Sequence, residues 1–116
     1  MSNPHPARPS LSILVPVYRS ALILPDLVAR IESALAGYEK ELILINDGSP
    51  DNSAEVVKEL AAGYAWVRGI SLMRNYGQHN ALLCGIRAAS NDVIVTMDDD
   101  LQHPPEEVPK LLEKLA

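Results

Sequence analysis

The sequence has few aromatic residues and almost no cysteine. None of its 116 residues is phenylalanine, and aromatic residues make up only 4% of the chain. Hydrophobic residues nevertheless make up 47%, so the core must be built from aliphatic side chains, and the composition argues against global disorder. The length fits one domain of modest size, or part of a larger one.

Cys84 is the only cysteine, so the chain cannot form an intramolecular disulfide. This favours a reducing compartment, and we expect Cys84 to serve as a small buried hydrophobic residue. No apolar run approaches the roughly 20 residues that a membrane-spanning helix requires. Residues 1–9 also lack the apolar core of a signal peptide. We therefore expect a soluble, cytoplasmic protein, with a flexible tail over residues 1–9 and one folded unit over residues 10–116.

Positive charge is scarce as well. The chain has 10 Lys and Arg residues against 15 Asp and Glu residues, and its net charge is −5. A surface that binds nucleic acid needs clustered basic side chains to replace counterions, so nucleic acid is not an expected partner. A nucleotide that is bound through a metal ion remains compatible with this charge.

Short apolar runs with strand character alternate with helical periodicity along the chain. This order, βαβαβαβα, predicts an α/β fold: a parallel sheet of about four strands with helices on its faces. The predicted strands are residues 11–16, 41–46, 67–72 and 93–97, and the predicted helices begin near Leu24, Ser49, Gly77 and Pro104.

Each predicted strand ends in polar residues, and the fourth ends in three consecutive acids, Asp98, Asp99 and Asp100. Ligands of open parallel sheets bind at the carboxyl ends of the strands. Adjacent carboxylates at the end of a buried strand repel one another, and a divalent cation such as Mg²⁺ or Mn²⁺ is the usual partner that neutralises them. The alternative is a solvated acidic turn that caps the following helix.

Other strand ends allow two interpretations each. Asp47 could accept hydrogen bonds from a nucleobase or ribose, or it could form a local turn with Gly48. Arg74 could bind a diphosphate, or it could be a solvated or ion-paired side chain. Tyr18 could stack on a base, or it could lie half-buried at the sheet edge.

Several common ligand sites are missing from the sequence. It contains neither a Gly-x-x-x-x-Gly-Lys phosphate loop nor a Gly-x-Gly-x-x-Gly turn after the first strand. His79 and His103 lack the spacing of a zinc site, so we interpret both as polar residues of a loop or a helix start. A metal ion together with a base-binding acid suggests a nucleoside diphosphate ligand, with the metal as a Lewis acid for the departing diphosphate.

Four segments resemble, in order, the motifs of family 2 glycosyltransferases, and in particular of its polyprenyl-phosphate sugar transferases. That branch includes dolichol-phosphate mannosyltransferases and undecaprenyl-phosphate aminoarabinose transferases. The resemblance runs from Leu11 to the end and implies a GT-A fold, a nucleotide-sugar donor, a divalent metal and inversion at the sugar carbon. The segments are residues 15–18 (VPVY), 46–51 (NDGSPD), 74–79 (RNYGQH) and 98–106 (DDDLQHPPE).

The resemblance also implies roles for individual residues. The metal-site residues would be Asp98, Asp100 and Gln102, with the two acids also counted as catalytic and Asp98 also near the donor. The acceptor phosphate is already anionic, so it needs little help from a general base, and catalysis would rest on positioning and charge neutralisation. The nucleoside would be held by Pro16, Tyr18 and Asp47, and the ribose and donor sugar would lie near Arg74 and Asn75.

The chain departs from the family pattern at four positions. Arg19 and Ser20 stand where members often have Asn-Glu, which removes an acid that would help to hold the nucleoside. Asn46 replaces the first acid of a common Asp-Asp-Gly-Ser motif. Asp99 stands where Ala is frequent, so it adds charge without changing the spacing of the flanking acids.

Two function hypotheses follow from these observations. The first is an inverting glycosyltransferase that moves a sugar from a nucleotide-diphosphate donor to a polyprenyl-phosphate or other acceptor. Here it would be represented by its nucleotide-sugar-binding part, with the full-length parent at the cytoplasmic face of the membrane. The second is a truncated, inactive module that binds a metal–nucleotide complex. A signalling receiver domain is disfavoured, because it needs an acid pair where residues 16–18 read Pro-Val-Tyr.

Overall fold

A computed structural model describes residues 8–100 and 104–115. It contains one parallel sheet in the order β3-β2-β1-β4, which confirms the predicted α/β fold class. Residues 1–7 of the expected tail lie outside the described residues. The elements, in chain order, are β1 (Leu11–Val17), α1 (Leu24–Ala34), β2 (Lys40–Asn46), α2 (Ser53–Gly63), β3 (Val67–Ser71), α3 (Gln78–Ala88), β4 (Val93–Thr96) and α4 (Glu107–Leu115).

The central strands β1 and β2 are covered on both faces, which explains why they are nearly continuous apolar runs. On one face, alternate residues of the two strands pack against α1, α2 and α4. On the other face, Leu14, Ile43 and Ile45 pack against Ala81 of α3. At Gly85 of α3 a Cβ atom would lie 2.8 Å from Ile45 Cδ1, so the absence of a side chain there lets the helix lie close to the sheet.

The core is aliphatic, as the composition requires. Leu24, Leu27, Val28 and Ile31 form the buried stripe of α1, and each is fully inaccessible to solvent. Burial of four side chains of this size removes enough apolar surface from water to contribute several kcal/mol, about 1.5–3 kcal/mol each. Cys84, in contrast, is half-buried rather than a core residue, so that expectation was wrong. Cys84 lies on α3. Among the described helices, α3 alone packs on its face of the sheet, and the side of α3 that points away from the sheet is exposed.

Two helix starts differ from the sequence prediction. Helix α2 begins at Ser53 rather than Ser49, because residues before it form a hydrogen-bonded loop: Asn46 Oδ1 accepts from the Ser49 amide at 3.2 Å, and Asp51 Oδ1 accepts from the Ser53 amide at 3.0 Å. Helix α4 begins at Glu107, a few residues after the predicted start. Pro109 then falls in its first turn, where the missing N–H has no intrahelical partner to lose.

Strand β4 lies at one edge of the sheet. It has four residues. Ile94, which lies on the same face of the sheet as α3, is 43% exposed. Helix α4 packs beside it through Val108, and a two-pronged ion pair between Arg30 of α1 and Glu106 holds the start of α4 with N–O distances of 3.2 and 3.0 Å. None of the helices in the described parts of the chain has the length and apolar character needed to cross a bilayer.

A buried carboxylate joins the strands at the amino end of the sheet. Glu41 of β2 accepts hydrogen bonds from Ser12 Oγ of β1 at 2.6 Å, from the Ser90 amide at 2.7 Å and from Arg68 Nη1 of β3 at 3.1 Å. Arg68 also donates to the carbonyl of Ala88, at the C-terminus of α3, where a positive charge is favourable. Burial alone raises the pKa of the Glu41 carboxyl, but these hydrogen bonds outweigh it and lower the pKa from 4.5 to about 2.

Replacement of Glu41 by Gln should lower the free energy of unfolding by about 1–3 kcal/mol at neutral pH, because charge-assisted hydrogen bonds are lost from a buried site. A carboxyl with a depressed folded-state pKa stabilises the fold above its unfolded pKa and loses that contribution as the pH falls. The difference between wild type and Glu41→Gln should therefore shrink as the pH falls from 4.5 towards 2. Urea unfolding at several pH values measures both effects. Glu39→Gln, at an exposed position, is the control, and an equal loss in both variants would contradict the role of Glu41.

Candidate functional site

A polar cavity of about 280 Å³ opens at the carboxyl edge of the sheet. The ends of β1, β2 and β4 and the start of α3 form it. Five residues to which the resemblance gives site roles therefore lie together, although those roles stay predictions: Pro16, Tyr18, Asp47, Asp98 and Asp100. The lining consists of Pro16, Val17, Tyr18, Asp47, Gln78, Asp98, Asp99 and Asp100.

The loop after β1 carries Tyr18, whose side chain is 40% exposed at the cavity. The next residue, Arg19, has a φ of 55°, a left-handed conformation that costs energy in a residue with a Cβ atom. Two serines, one in the loop after β2 and one at the start of α2, hold this conformation: Ser49 Oγ accepts from the Arg19 amide at 2.9 Å, and Ser53 Oγ accepts from the Ser20 amide at 3.3 Å. The β1 loop is thus fixed against the start of α2.

Asp51 completes this contact between loops. Its carboxylate accepts from the Ser49 hydroxyl and from the Ser53 amide. Hydrogen bonds from Ser49 and then from Ser53 lower the pKa of the Asp51 carboxyl from 3.8 to about 2. Sequence reasoning gave these residues no role beyond the helix start, although the alternation of Ser49, Asp51 and Ser53 was visible in the sequence.

Asp47 is buried, with 3% of its surface exposed, and lies at the end of β2. Its Oδ1 accepts from the Tyr76 amide at 2.9 Å, and its Oδ2 accepts from the Gly77 amide at 3.1 Å. Asp47 therefore holds the loop after β3 as well as lining the cavity. The local hydrogen bond that was one of two alternatives for Asp47 is made by Asn46 instead, whose Oδ1 accepts from the Ser49 amide.

Gly48 brings the loops after β2 and β3 into direct backbone contact. It has a φ of 65°, and a Cβ atom at this position would overlap the carbonyl carbon of Arg74 and the amide nitrogen of Asn75. Only glycine satisfies both the conformation and the close approach. The Asp-Gly pair thus combines an acid that binds the neighbouring loop with a residue that lets this loop approach.

Asp98 and Asp99, the first two acids after β4, have different hydrogen-bond partners. Asp98 Oδ1 accepts from Gln78 Nε2 of α3 at 3.1 Å, whereas Asp99 Oδ2 accepts from the Tyr18 amide at 3.1 Å. Within residues 8–100 and 104–115, no group of three or more His, Cys, Asp or Glu side chains converges as a metal cage. Gln102, the third predicted metal-site residue, lies outside the described residues, as does His103.

The donor set nevertheless fits a hard divalent cation that is shared with a ligand. Mg²⁺ typically binds one or two carboxylates and completes its shell with phosphate oxygens and water, so it does not need a cage built only from protein. Asp98 and Asp100 border the same cavity and could supply those carboxylates. Gln78 donates a hydrogen bond to Asp98 and so orients its carboxylate. Gln78 lies in the segment 74–79 that resembles a family motif, but the sequence analysis assigned it no role.

Arg74 and Asn75 do not contribute to the cavity lining that the described residues form. Arg74 Nε donates to the Tyr76 hydroxyl at 3.3 Å, and its guanidinium lies 5.4 Å from the centre of that ring. Asn75 Oδ1 accepts from the Gly77 amide at 2.9 Å. Both side chains shape the loop after β3, and His79, which follows on α3, is exposed.

A second cavity, of about 800 Å³, lies between β4 and α4. Although it is larger, its lining is mainly apolar, with Val95, Met97 and Leu111 among its residues. It does not gather carboxylates from several strand ends. The smaller polar cavity is therefore the candidate site.

The family model described as "Glycosyl transferase family 2" matches residues 12–116. The chain belongs to glycosyltransferase family 2. Its similar relatives include two proteins named undecaprenyl-phosphate 4-deoxy-4-formamido-L-arabinose transferase. The one from Pseudomonas fluorescens (strain SBW25) is 44% identical over 117 residues, which cover 98% of this chain and 34% of the relative. The one from Shewanella sediminis (strain HAW-EB3) is 48% identical over 107 residues, which cover 90% and 32%.

Solved structures share the fold of this family 2 chain. The mannosyltransferase PcManGT from Pyrobaculum calidifontis, in complex with GDP-Man and Mn²⁺, superposes with a TM-score of 0.76 at 18% identity and covers 97% of this chain and 35% of its own. Residues 1–349 of S. aureus TarS give a TM-score of 0.72 at 19% identity, and the match covers 90% of this chain and 31% of the TarS chain. These likenesses show a GT-A type of fold. The chain spans about a third of the length of the curated relatives it matches.

Replacement of Gly48 by Ala should destabilise the protein by about 1–3 kcal/mol, because the new side chain requires a left-handed backbone and overlaps the 74–75 peptide. The amides of Tyr76 and Gly77 should also lose protection from hydrogen exchange as their loop moves away from Asp47. Urea unfolding and amide exchange measure the two effects. Gly63→Ala is a matched control, because nothing lies within 4 Å of its Cβ position. Equal stability of the two variants would argue against the close contact between the loops.

Proposed function

We propose that the polar cavity binds the nucleoside diphosphate of a sugar donor through a divalent cation, Mg²⁺ or Mn²⁺. We further propose that the protein represented by this chain transfers the sugar, with inversion, to a polyprenyl-phosphate acceptor. The observation that carries the proposal is the meeting of three strand ends in one cavity. Tyr18, Asp47 and the acids Asp98 and Asp100 all line it.

Asp98 and Asp100 would hold the cation, together with Gln102. Carboxylate oxygens are ligands that these hard cations prefer, and the nucleotide phosphates would complete the shell. When bound, the cation would act as a Lewis acid that stabilises the negative charge of the departing diphosphate. The Mn²⁺ in the PcManGT complex, whose fold is shared, supports the choice of cation.

Pro16, Tyr18 and Asp47 would bind the nucleoside. The exposed ring of Tyr18 offers an apolar face on which a base can stack. Each carboxylate oxygen has two lone pairs, so Asp47 can accept a hydrogen bond from a base or ribose while it keeps its bonds to the loop after β3. Arg74 and Asn75 belong to that loop and would lie towards the ribose and the donor sugar.

The acceptor is inferred from the relatives, which are named as transferases to undecaprenyl phosphate. A lipid phosphate is anionic at neutral pH, so it can attack the sugar carbon without a general base. A single displacement would invert that carbon. The residues of this chain would then contribute by placing the donor and by supporting the diphosphate end of the breaking bond. Such an acceptor would place the full-length protein at the cytoplasmic face of the membrane.

A second candidate is a module that binds the metal–nucleotide complex and transfers nothing. It is favoured by the position of the proposed nucleotide contacts, which lie at strand ends of one small sheet. Both candidates require nucleotide binding, and they differ only in transfer. Binding is therefore the property to measure on this chain, and transfer is to be measured on a relative of full length.

Calorimetric titration of the chain with UDP and with GDP, each with and without Mn²⁺, tests the binding. We expect heat for one of the two nucleotides only when Mn²⁺ is present, which would also identify the base. Binding that is equal with and without Mn²⁺ would contradict the role of the cation. The absence of binding to either nucleotide, in a chain that gives a folded circular-dichroism spectrum, would contradict the proposed site in this chain.

Asp98→Asn and Asp100→Asn should each weaken Mn²⁺-dependent nucleotide binding by at least roughly tenfold, because a neutral amide is a poorer ligand for a hard cation. The fold should persist, since both residues lie at the cavity rather than in the core. The same titration measures the affinity, and thermal unfolding checks the fold. Asp92→Asn, an exposed acid before β4, is the matched control. Unchanged affinity in both site variants would overturn the metal assignment.

A further inference from the structure

Asp99 differs from Asp98 in the partners of its carboxylate. Its Oδ2 accepts a hydrogen bond from the Tyr18 amide at 3.1 Å and also contacts the Ser20 hydroxyl. Tyr18 and Asp99 are 81 residues apart in the sequence, so this contact joins the ends of two strands, β1 and β4, that are neighbours in the sheet. The carboxylate thus faces the backbone of the β1 loop.

The β1 loop needs such support on this side. Its other side is held by Ser49 and Ser53, which accept from the amides of Arg19 and Ser20. Arg19 is in a left-handed conformation, which persists only when surrounding contacts outweigh its cost. Asp99 supplies the contacts from the β4 side, and Ser20 is almost fully buried between the two sets.

We propose that Asp99 is a positioning residue: its carboxylate fastens residues 18–20 to the end of β4 and thereby keeps Tyr18 and Asp98 in one preformed nucleotide cavity. The inference rests on the proposed function for its effect on nucleotide affinity, but the fastening itself is independent of any ligand. It also gives Ser20 and Asp99, two of the four positions at which the chain departs from the family pattern, a joint physical role, because each is the contact partner of the other.

The charge of Asp99 and its hydrogen-bond geometry can be separated by substitution. Asn keeps one side-chain oxygen, which can take the place of Oδ2 and accept from both the Tyr18 amide and the Ser20 hydroxyl. Ala removes both contacts. A positioning role therefore predicts that Asn preserves most of the function, whereas a direct metal ligand would be impaired by Asn as well as by Ala.

The first measurement is exchange of the Tyr18 amide with water, followed by NMR without ligand. Asp99→Ala should speed this exchange by roughly tenfold, while the amides of β2 stay protected and Asp99→Asn stays close to wild type. Asp92→Ala is the matched control and should behave as wild type. Unchanged exchange of Tyr18 in Asp99→Ala would overturn the proposed fastening.

The second measurement is the titration with UDP or GDP and Mn²⁺. Asp99→Ala should bind roughly tenfold more weakly than wild type, at an unchanged melting temperature, and Asp99→Asn should restore most of the affinity. The double variant Ser20→Ala with Asp99→Ala should lose less binding free energy than the sum of the losses in the two single variants, because both substitutions remove the same contact.

The outcomes distinguish the two proposals. Faster exchange with unchanged affinity would overturn the positioning role, and equal impairment by Asn and Ala would assign Asp99 to the metal instead. If wild type itself binds neither nucleotide, the proposed function of this chain fails along with the affinity effect, whereas the exchange of the Tyr18 amide still decides whether Asp99 fastens the loop.

Discussion

The parallel pairing of β1 with both β2 and β4 is the constraint on which the rest of the structure depends. Strand β1 lies between two partners. One is β2, the next strand in the chain, and the other is β4, which follows β2 after two further crossovers. Helix α1, in the crossover from β1 to β2, lies on one face of the sheet, and α3, in the crossover from β3 to β4, lies on the other, so the strand order reverses between β1 and β4. A crevice forms at such a switch point, and the polar cavity lies there.

The two ends of the sheet use carboxylates in different ways. At the amino end, Glu41 accepts hydrogen bonds from three other segments, which lower its pKa to about 2 and stabilise its charge within the fold. At the carboxyl end, three acids stand together, and the described cation-bearing side chains do not pair with Asp98 or Asp99 in a salt bridge. Compensated charge at one end supports the sheet, and grouped acidic charge at the other suits a cationic ligand.

The loops at the carboxyl end are joined to one another by hydrogen bonds between side chains and backbone amides. Asp47 holds the loop after β3, Ser49 and Ser53 hold the loop after β1, and Asp99 ties that loop to β4. The cavity is therefore shaped before any ligand arrives. Such preorganisation favours binding, because the loops and side chains of the site do not have to become ordered when the ligand binds.

The sequence by itself determined the element order, the aliphatic core and the parallel sheet, because apolar periodicity is a local property of the chain. It also brought Asp47, Tyr18 and the acids to one edge, since parallel strands end on the same side. It did not reveal that α2 begins at Ser53, that Glu41 joins the strands or that Asp99 faces Tyr18. The contacts of Glu41 and Asp99 depend on partners 27 to 81 residues away, and only the tertiary structure decides which donor meets which acceptor.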